Sequence, residues 1–275
     1  MPQPHQFNQR LRGRVALVTG AGSTGEGFGT GKAIAFSYAA EGAKVCLIDR
    51  DAEVAEATRS MIAAAGGEAI AYQGDITLAG DCEGMVAAAL ARFGKLDILV
   101  NNVGISIGGG ALESLDMSVW DQVLNVNLRG AVLLTKSAVP HLLAAGHGAI
   151  VNIASIAALG ASGGTAYGPS KAALISLTRE LALLYGRRGL RANVICPGHI
   201  HTPHVEAMIN DTMRDWRRRI APLGVEGDAW AVAAAAVFLA SEEARFITGV
   251  CLPVDGGATQ VLPMSGHGLL EGWYD

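Results

Sequence analysis

The chain contains no apolar run long enough to cross a bilayer: its longest, Ala229 to Ala240, ends after twelve residues, against the roughly 18 or more that a membrane span requires. It carries no large excess of either charge. Lys and Arg number 21 against 25 for Asp and Glu, so electrostatics gives no reason to expect a nucleic acid or an anionic membrane as partner. The opening residues MPQPHQFNQRLRGR include no apolar stretch of secretory-signal length. Cysteine is sparse, and Cys46, Cys82, Cys196 and Cys251 lie far apart with no CxxC pair to suggest zinc or redox chemistry. They are expected to be reduced, mostly buried small hydrophobes of a cytoplasmic protein. No linker, repeat or low-complexity block divides the chain. Apolar residues are plentiful: they make up 50% of 275 residues, enough for the core of a single domain spanning 1–275.

Short runs rich in Val, Ile and Leu alternate with longer segments of helical periodicity. That pattern predicts an α/β fold, a parallel sheet covered by helices on both faces. Strands are expected at Val15–Thr19, Lys44–Asp49, Ala69–Gln73, Leu96–Asn101, Ala149–Ala154, Arg191–Ile195 and Val250–Val254. Helices are expected near 31–42, 51–65, 79–93, 118–145, 167–186, 203–220 and 228–240. Residues 1–12 read as a loose arm and 261–275 as a tail, whose Trp273 and Tyr274 are expected to dock on this chain or on a partner.

The stretch VTGAGSTGEGFGTGKAIA, Val18 to Ala35, leaves an apolar strand and opens an Ala-rich helix. In that setting glycines allow a tight bend and bring backbone N–H groups close to a pyrophosphate, while the helix N-terminus adds partial positive charge. Glycine-rich turns also serve purely structural ends. The second strand offers an independent sign, because it ends in VCLIDRD and places Asp49 where a carboxylate can accept hydrogen bonds from an adenosine ribose. The same carboxylate repels a 2′-phosphate, which favours NAD over NADP, although the adjacent Arg50 keeps a dual preference open. Asp51 fits the cap of the following helix.

In TAYGPSKAAL, Tyr167 and Lys171 are four residues apart and share one helix face, with Pro169 marking the first turn. A phenol has an unperturbed pKa of about 10, so a neighbouring ammonium is expected to lower it; roughly three units correspond to about 4 kcal/mol. Pairs at this spacing also occur in ordinary helices, where they only pack.

Taken with TGAGS…GTGKAIA, GDIT, NNVG, NVNLRG, IVNIAS, CPGHIHTP and FITGVCLPVDGG, the chain resembles the short-chain dehydrogenase/reductase family over almost its whole length. The resemblance implies a doubly wound Rossmann fold with a seven-stranded parallel sheet. It implies that Gly20, Gly29 and Gly31 form the glycine triplet, that Asp49 binds ribose, and that Asp75 and Ile76 flank the adenine. Asn101 and Gly104 would shape the cofactor floor, and Pro197, Gly198, Ile200 and Thr202 would hold the nicotinamide amide. Asn127, Ser155, Tyr167 and Lys171 would be the catalytic tetrad, with Tyr167 and Lys171 also touching the cofactor. In that scheme Tyr167 moves the substrate proton as hydride passes between the carbinol carbon and nicotinamide. Ser155 steadies the substrate oxygen, and Asn127 fixes a relay water. In isolation Ser155 also reads as a strand-end turn residue and Asn127 as a polar group that bends its helix. Helices near 118–145 and 167–186 would pair with copies of themselves in a dimer or tetramer.

Two features depart from the family pattern. Eight residues separate Gly20 from Gly29, and the inserted TGEGF brings Glu26 near the expected phosphates, so the insertion is predicted to bulge away from them. The spacing from Ser155 to Tyr167 is short, as if a loop over the substrate had been trimmed. His199, His201 and His204 in GHIHTPH invite a metal site, but hydride transfer of this type needs no metal. Arg214, Arg217, Arg218 and Arg219 form a solvated face by default; one turned inward could grip an anionic substrate. The leading expectation is an NAD-dependent oxidoreductase of secondary alcohols or ketones. Its alternatives are an NADPH-dependent 3-oxoacyl or hydroxyacyl reductase, a catalytically silent NAD sensor, and, against the glycine turn and Asp49, a halohydrin dehalogenase.

Overall fold

In the computed structural model, which describes residues 9–23 and 27–272, β-branched and Leu-rich runs form the strands and Ala-rich segments the helices. The chain runs β1 (Val15–Thr19), α1 (Thr30–Ala40), β2 (Lys44–Asp49), α2 (Ala52–Ala64), β3 (Glu68–Gln73), α3 (Ala79–Phe93) and β4 (Ile98–Asn101). It continues through α4 (Met117–Leu124), α5 (Ala131–Ala144), β5 (Ala149–Ile153), α6 (Tyr167–Tyr185) and β6 (Arg191–Pro197). Then come β7 (Ile200–His201), α7 (Pro203–Glu206), α8 (Asp211–Arg219), β8 (Gly227–Asp228), α9 (Ala229–Ala240), β9 (Cys251–Val254) and α10 (Pro263–Leu270). Seven strands make one sheet in the order β3-β2-β1-β4-β5-β6-β9, every neighbouring pair parallel. β7 and β8 form a separate short parallel pair.

The central strands are buried on both faces, which is why they read as nearly continuous apolar runs. One apolar layer sits between the sheet and α1 with α9, the other between the sheet and α3 with α5. A chain of buried amides and hydroxyls crosses the second layer. Asn101 donates to Thr135 Oγ1 at 3.0 Å and to Asn152 Oδ1 at 2.8 Å, and Asn152 donates to Thr178 Oγ1 at 2.8 Å. No helix among the described residues is long and apolar enough to cross a membrane.

Four expectations need correction. The part of the N-terminal arm within the described residues is tied down: Leu11 is 1% exposed in the α1–α9 layer, and its N–H donates to Glu41 O at 2.9 Å. Leu11→Ala should therefore cost about 2–4 kcal/mol; an unchanged denaturation midpoint in urea would return this residue to a loose arm. The helix expected over 118–145 is divided by a π-helical turn at Asn125–Gly130, and the one expected over 203–220 breaks into α7 and α8. Asn210 causes the second break, because its side chain accepts the Met213 N–H at 2.9 Å and starts a new helix. The tail folds into α10, which packs on α8; Trp273 and Tyr274 lie outside the described residues.

Candidate active site

β1 ends at Thr19 and the chain turns at Gly20, whose φ of +60° lies in the left-handed region that favours glycine. α1 then packs so closely on this turn that a Cβ at Gly31 would stand 1.9 Å from Gly20 O. Gly29 is the N-cap of α1 and offers no side-chain acceptor, which leaves the first-turn N–H groups for a ligand. These glycines form the floor of a cleft of about 540 Å³ along the carboxyl edge of the sheet. Asp49 lies at one end, with Oδ2 accepting the Gly22 N–H at 3.0 Å and Oδ1 the Asp51 N–H at 3.2 Å. Asp75 and Ile76 border the cleft further along, and Gly104 and Thr202 lie at its other end. At Gly104 a Cβ would come 2.7 Å from Lys171 Nζ. A floor of bare backbone, a helix N-terminus and a carboxylate at the far end together fit a dinucleotide. Gly20, Gly29 and Gly31 would take its pyrophosphate, and Asp49 a ribose.

Ser155 lies two residues past the end of β5, and Tyr167 opens α6. The two meet because residue 168 is glycine: a Cβ there would come 3.0 Å from Ala157 O, in the turn that carries Ser155. Ser155 Oγ accepts the Ala157 N–H at 3.1 Å, and its hydroxyl favours the Tyr167 phenolate. One turn along α6, Lys171 is 2% exposed; its Nζ donates to Ile153 O at 2.9 Å and lies 5.8 Å from the centre of the Tyr167 ring. Burial lowers the Lys171 pKa to about 8. Burial also raises the Tyr167 phenol above its ordinary value, and the neighbouring Ser155 hydroxyl offsets only part of this. The expected lowering of the phenol by Lys171 is thus reversed in sign, because dehydration penalises the phenolate more than its polar neighbours favour it.

Asn127 lies in the π-helical turn, a kind of helix irregularity found often at functional sites. Its Oδ1 accepts the Ile105 N–H at 2.8 Å, and its Nδ2 donates to Ile105 O and to Ser170 Oγ, both at 2.9 Å. Both amide hydrogens are used, so its side chain fastens the chain after β4 to α6. Asn101 is displaced from its expected role, being buried in the polar chain between β4 and β5. Its neighbour Asn102 lines the cleft, donating through Nδ2 to Thr19 O at 3.0 Å and Gly20 O at 3.3 Å. Strand alternation in NNVG was the available signal, since successive side chains point to opposite faces. Of the segment after β6, Thr202 borders the cleft and caps α7, accepting the Val205 N–H. Ile200 turns into the core, and Pro197 and Gly198 support the segment from β6; a Cβ at Gly198 would stand 2.5 Å from Asp255 Cβ.

The arginines of α8 are all ion-paired. Arg217 does turn inward, but its Nε meets Glu226 at 3.1 Å and its Nη2 donates to Ile200 O at 3.0 Å. Arg214 shares Glu226, while Arg218 and Arg219 pair with Asp215. The inward arginine therefore fixes α8 over β7 and does not reach for an anionic substrate. His204 borders the cleft, and His201 lies 3.8 Å from Glu206 and 3.7 Å from Glu226. Burial and the Arg217 charge lower the pKa of His199. Glu26 is outside the described residues.

Residues 25–259 match the family described as enoyl-(acyl carrier protein) reductase. The chain is 39% identical over 247 residues to (2S)-[(R)-hydroxy(phenyl)methyl]succinyl-CoA dehydrogenase subunit BbsD of Thauera aromatica, covering 90% of this chain and 97% of that one. It is 37% identical over 261 residues to 2-(S)-hydroxypropyl-CoM dehydrogenase 3 of Xanthobacter autotrophicus, covering 93% and 100%. A solved short-chain dehydrogenase/reductase from Burkholderia xenovorans superposes with a TM-score of 0.86 at 41% identity, over 92% of this chain and 99% of its own. With likeness of that extent resting on the same fold, the chain belongs to the short-chain dehydrogenase/reductase family, as a nicotinamide-dependent oxidoreductase that interconverts alcohols and ketones.

Proposed function

We propose that the protein is an NAD-dependent dehydrogenase of small secondary alcohols, with Tyr167 as general acid and base. The observation that carries this is the meeting of the Ser155 hydroxyl, the Tyr167 phenol and the buried Lys171 ammonium beside a glycine-floored cleft. Bound nicotinamide supplies the hydride chemistry. Tyr167 takes the proton from the substrate hydroxyl during oxidation and returns it during reduction. Ser155 donates to the same substrate oxygen and steadies its developing charge. Lys171, held on Ile153 O, keeps a cation beside the phenol and would hold the nicotinamide ribose on the Gly104 side. Asn127 keeps the chain after β4 in place against α6.

Asp49 at the ribose end supports NAD over NADP, since a 2′-phosphate there would face a carboxylate. The names of the two enzyme relatives describe hydroxyl-bearing substrates, which supports a secondary alcohol here. We also place the protein in the cytoplasm, where its four free thiols stay reduced. We further propose one dinucleotide-binding and catalytic domain, assembled as a dimer or tetramer. The exposed Val132 on α5, with Leu183 and Leu184 on α6, supports association through these helices. Purified protein mixed with NAD or NADP and a panel of alcohols, diols and hydroxy acids, followed by nicotinamide absorbance, tests the assignment. Silence across the panel would overturn it. A higher kcat/KM with NADP would overturn the cofactor preference and favour a 3-oxoacyl reductase, a reading that Arg50 at the rim of the cleft supports.

A pH dependence follows from the two shifts. With its pKa raised, Tyr167 is protonated at neutral pH and ready as an acid, whereas its base form grows about tenfold per pH unit. Alcohol oxidation should therefore climb steeply from about pH 6 to 8 and level off as Lys171 loses its proton near pH 8, while ketone reduction stays level up to that point and then declines. A flat oxidation profile over this range would contradict the role given to Tyr167.

A further inference from the structure

Lys32 is the third residue of α1, beside the lengthened glycine turn, and only 8% of it is exposed. Lysine is rarely buried without a carboxylate partner, and a cation in the first turn opposes the helix dipole. Among the described residues no carboxylate pairs with it. Its Nζ instead donates to Gly27 O at 3.0 Å and lies 4.9 Å from the centre of the Phe28 ring. Burial lowers its pKa. Phe28 in turn packs on Trp230 of α9 and Phe36 of α1, with ring centres 4.4 and 5.9 Å away. On its other side the turn touches the segment after Thr202, since a Cβ at Gly27 would come 3.2 Å from Pro203 Cγ. The end of the insertion is thus held on three sides: by Lys32, by an aromatic surface spanning α1 and α9, and by the first residue of α7.

We propose that Lys32 is a positioning residue for the cofactor: by holding Gly27 and Phe28 on α1 and α9, it fixes the spacing of this end of the glycine turn from Thr202 and Pro203. The inference rests on the dinucleotide reading of the cleft. The phosphate end and the nicotinamide end of that cleft are built from segments far apart in sequence, and the contact between Gly27 and Pro203 joins them directly. Lys32 does not border the cleft itself, so its effect passes through the turn.

The test compares wild type with Lys32→Met, Lys32→Arg and Phe28→Ala by NADH and NADPH fluorescence titration, steady-state kinetics, and hydrogen exchange of the cofactor-free protein. Lys32→Met and Phe28→Ala should each weaken NADH binding about tenfold and raise the KM for NAD to match, with kcat at saturating NAD within about twofold of wild type. Exchange should quicken both at residues 27–34 and at 200–208. Lys32→Arg should restore binding, because a guanidinium can also donate to the carbonyl and stack on the ring. Phe28→Ala keeps the charge, so a loss there separates positioning from simple attraction of phosphate. Wild-type affinity in Lys32→Met, or quickened exchange confined to 27–34, would overturn the proposal. A wild-type protein that binds neither dinucleotide would remove the reading of the cleft, and the cofactor role of Lys32 with it.

Discussion

Replacing Tyr167 with Phe is expected to lower kcat by about 10²–10⁴-fold while leaving the NADH dissociation constant within about twofold of wild type. The substitution removes one oxygen and keeps the ring, so the packing at the start of α6 is preserved and no cavity opens. What disappears is the group that moves the substrate proton. Ser155 remains beside the site but cannot replace it, because its own hydroxyl is needed on the substrate oxygen. Adding Ser155→Ala should lower the rate much less than the product of the two single losses, since both act on the same oxygen. Turnover within about tenfold of wild type in Tyr167→Phe, measured by nicotinamide absorbance at saturating substrate, would exclude Tyr167 as the acid and base.

Gly31→Ala is expected to abolish dinucleotide binding in the accessible range, a loss of about 100-fold or more, and to destabilise the fold by about 1–3 kcal/mol. The added carbon would lie 1.9 Å from Gly20 O and 2.5 Å from Asn102 Nδ2. The first neighbour is backbone in a turn already committed to positive φ, so α1 itself must shift. A shift would carry away the first-turn N–H groups proposed to face the phosphate, which makes the binding loss larger than the stability loss. Gly80→Ala, in α3 with no atom near its Cβ position, is the matched control and should leave NADH affinity unchanged. Equal NADH affinity in Gly31→Ala and wild type would show that the phosphates sit elsewhere.

The sheet was legible because its strands are buried on both faces. Val15–Thr19 and Lys44–Asp49 are the strands expected around their apolar runs. The glycine turn, Asp49, Ser155, Tyr167 and Lys171 were also legible, as each depends on residue type and on position relative to a strand or helix end. The π-helical turn at Asn125–Gly130 was not, because one extra residue in a turn leaves the apolar spacing on either side intact. The break at Asn210 lay in a polar stretch with no apolar rhythm to interrupt. The sign of the Tyr167 shift depends on how much of the molecule closes over the phenol, which local sequence does not state. Arg217 looked available for a substrate because Glu226, its partner, is remote in helical periodicity and arrives only when β8 pairs with β7.

The polar chain through Asn101, Asn152, Thr135 and Thr178 limits which folded states this sequence can adopt. Strands made almost wholly of Val, Ile, Leu and Ala could slide past one another with little change in apolar contact. Two buried amides cannot: a slip of β4 against β5 would leave them unpaired, each at about 1–3 kcal/mol. Greasy strands supply the drive to collapse, and these few polar atoms select a single alignment, which sets Ser155 at the height of Tyr167 before any ligand arrives.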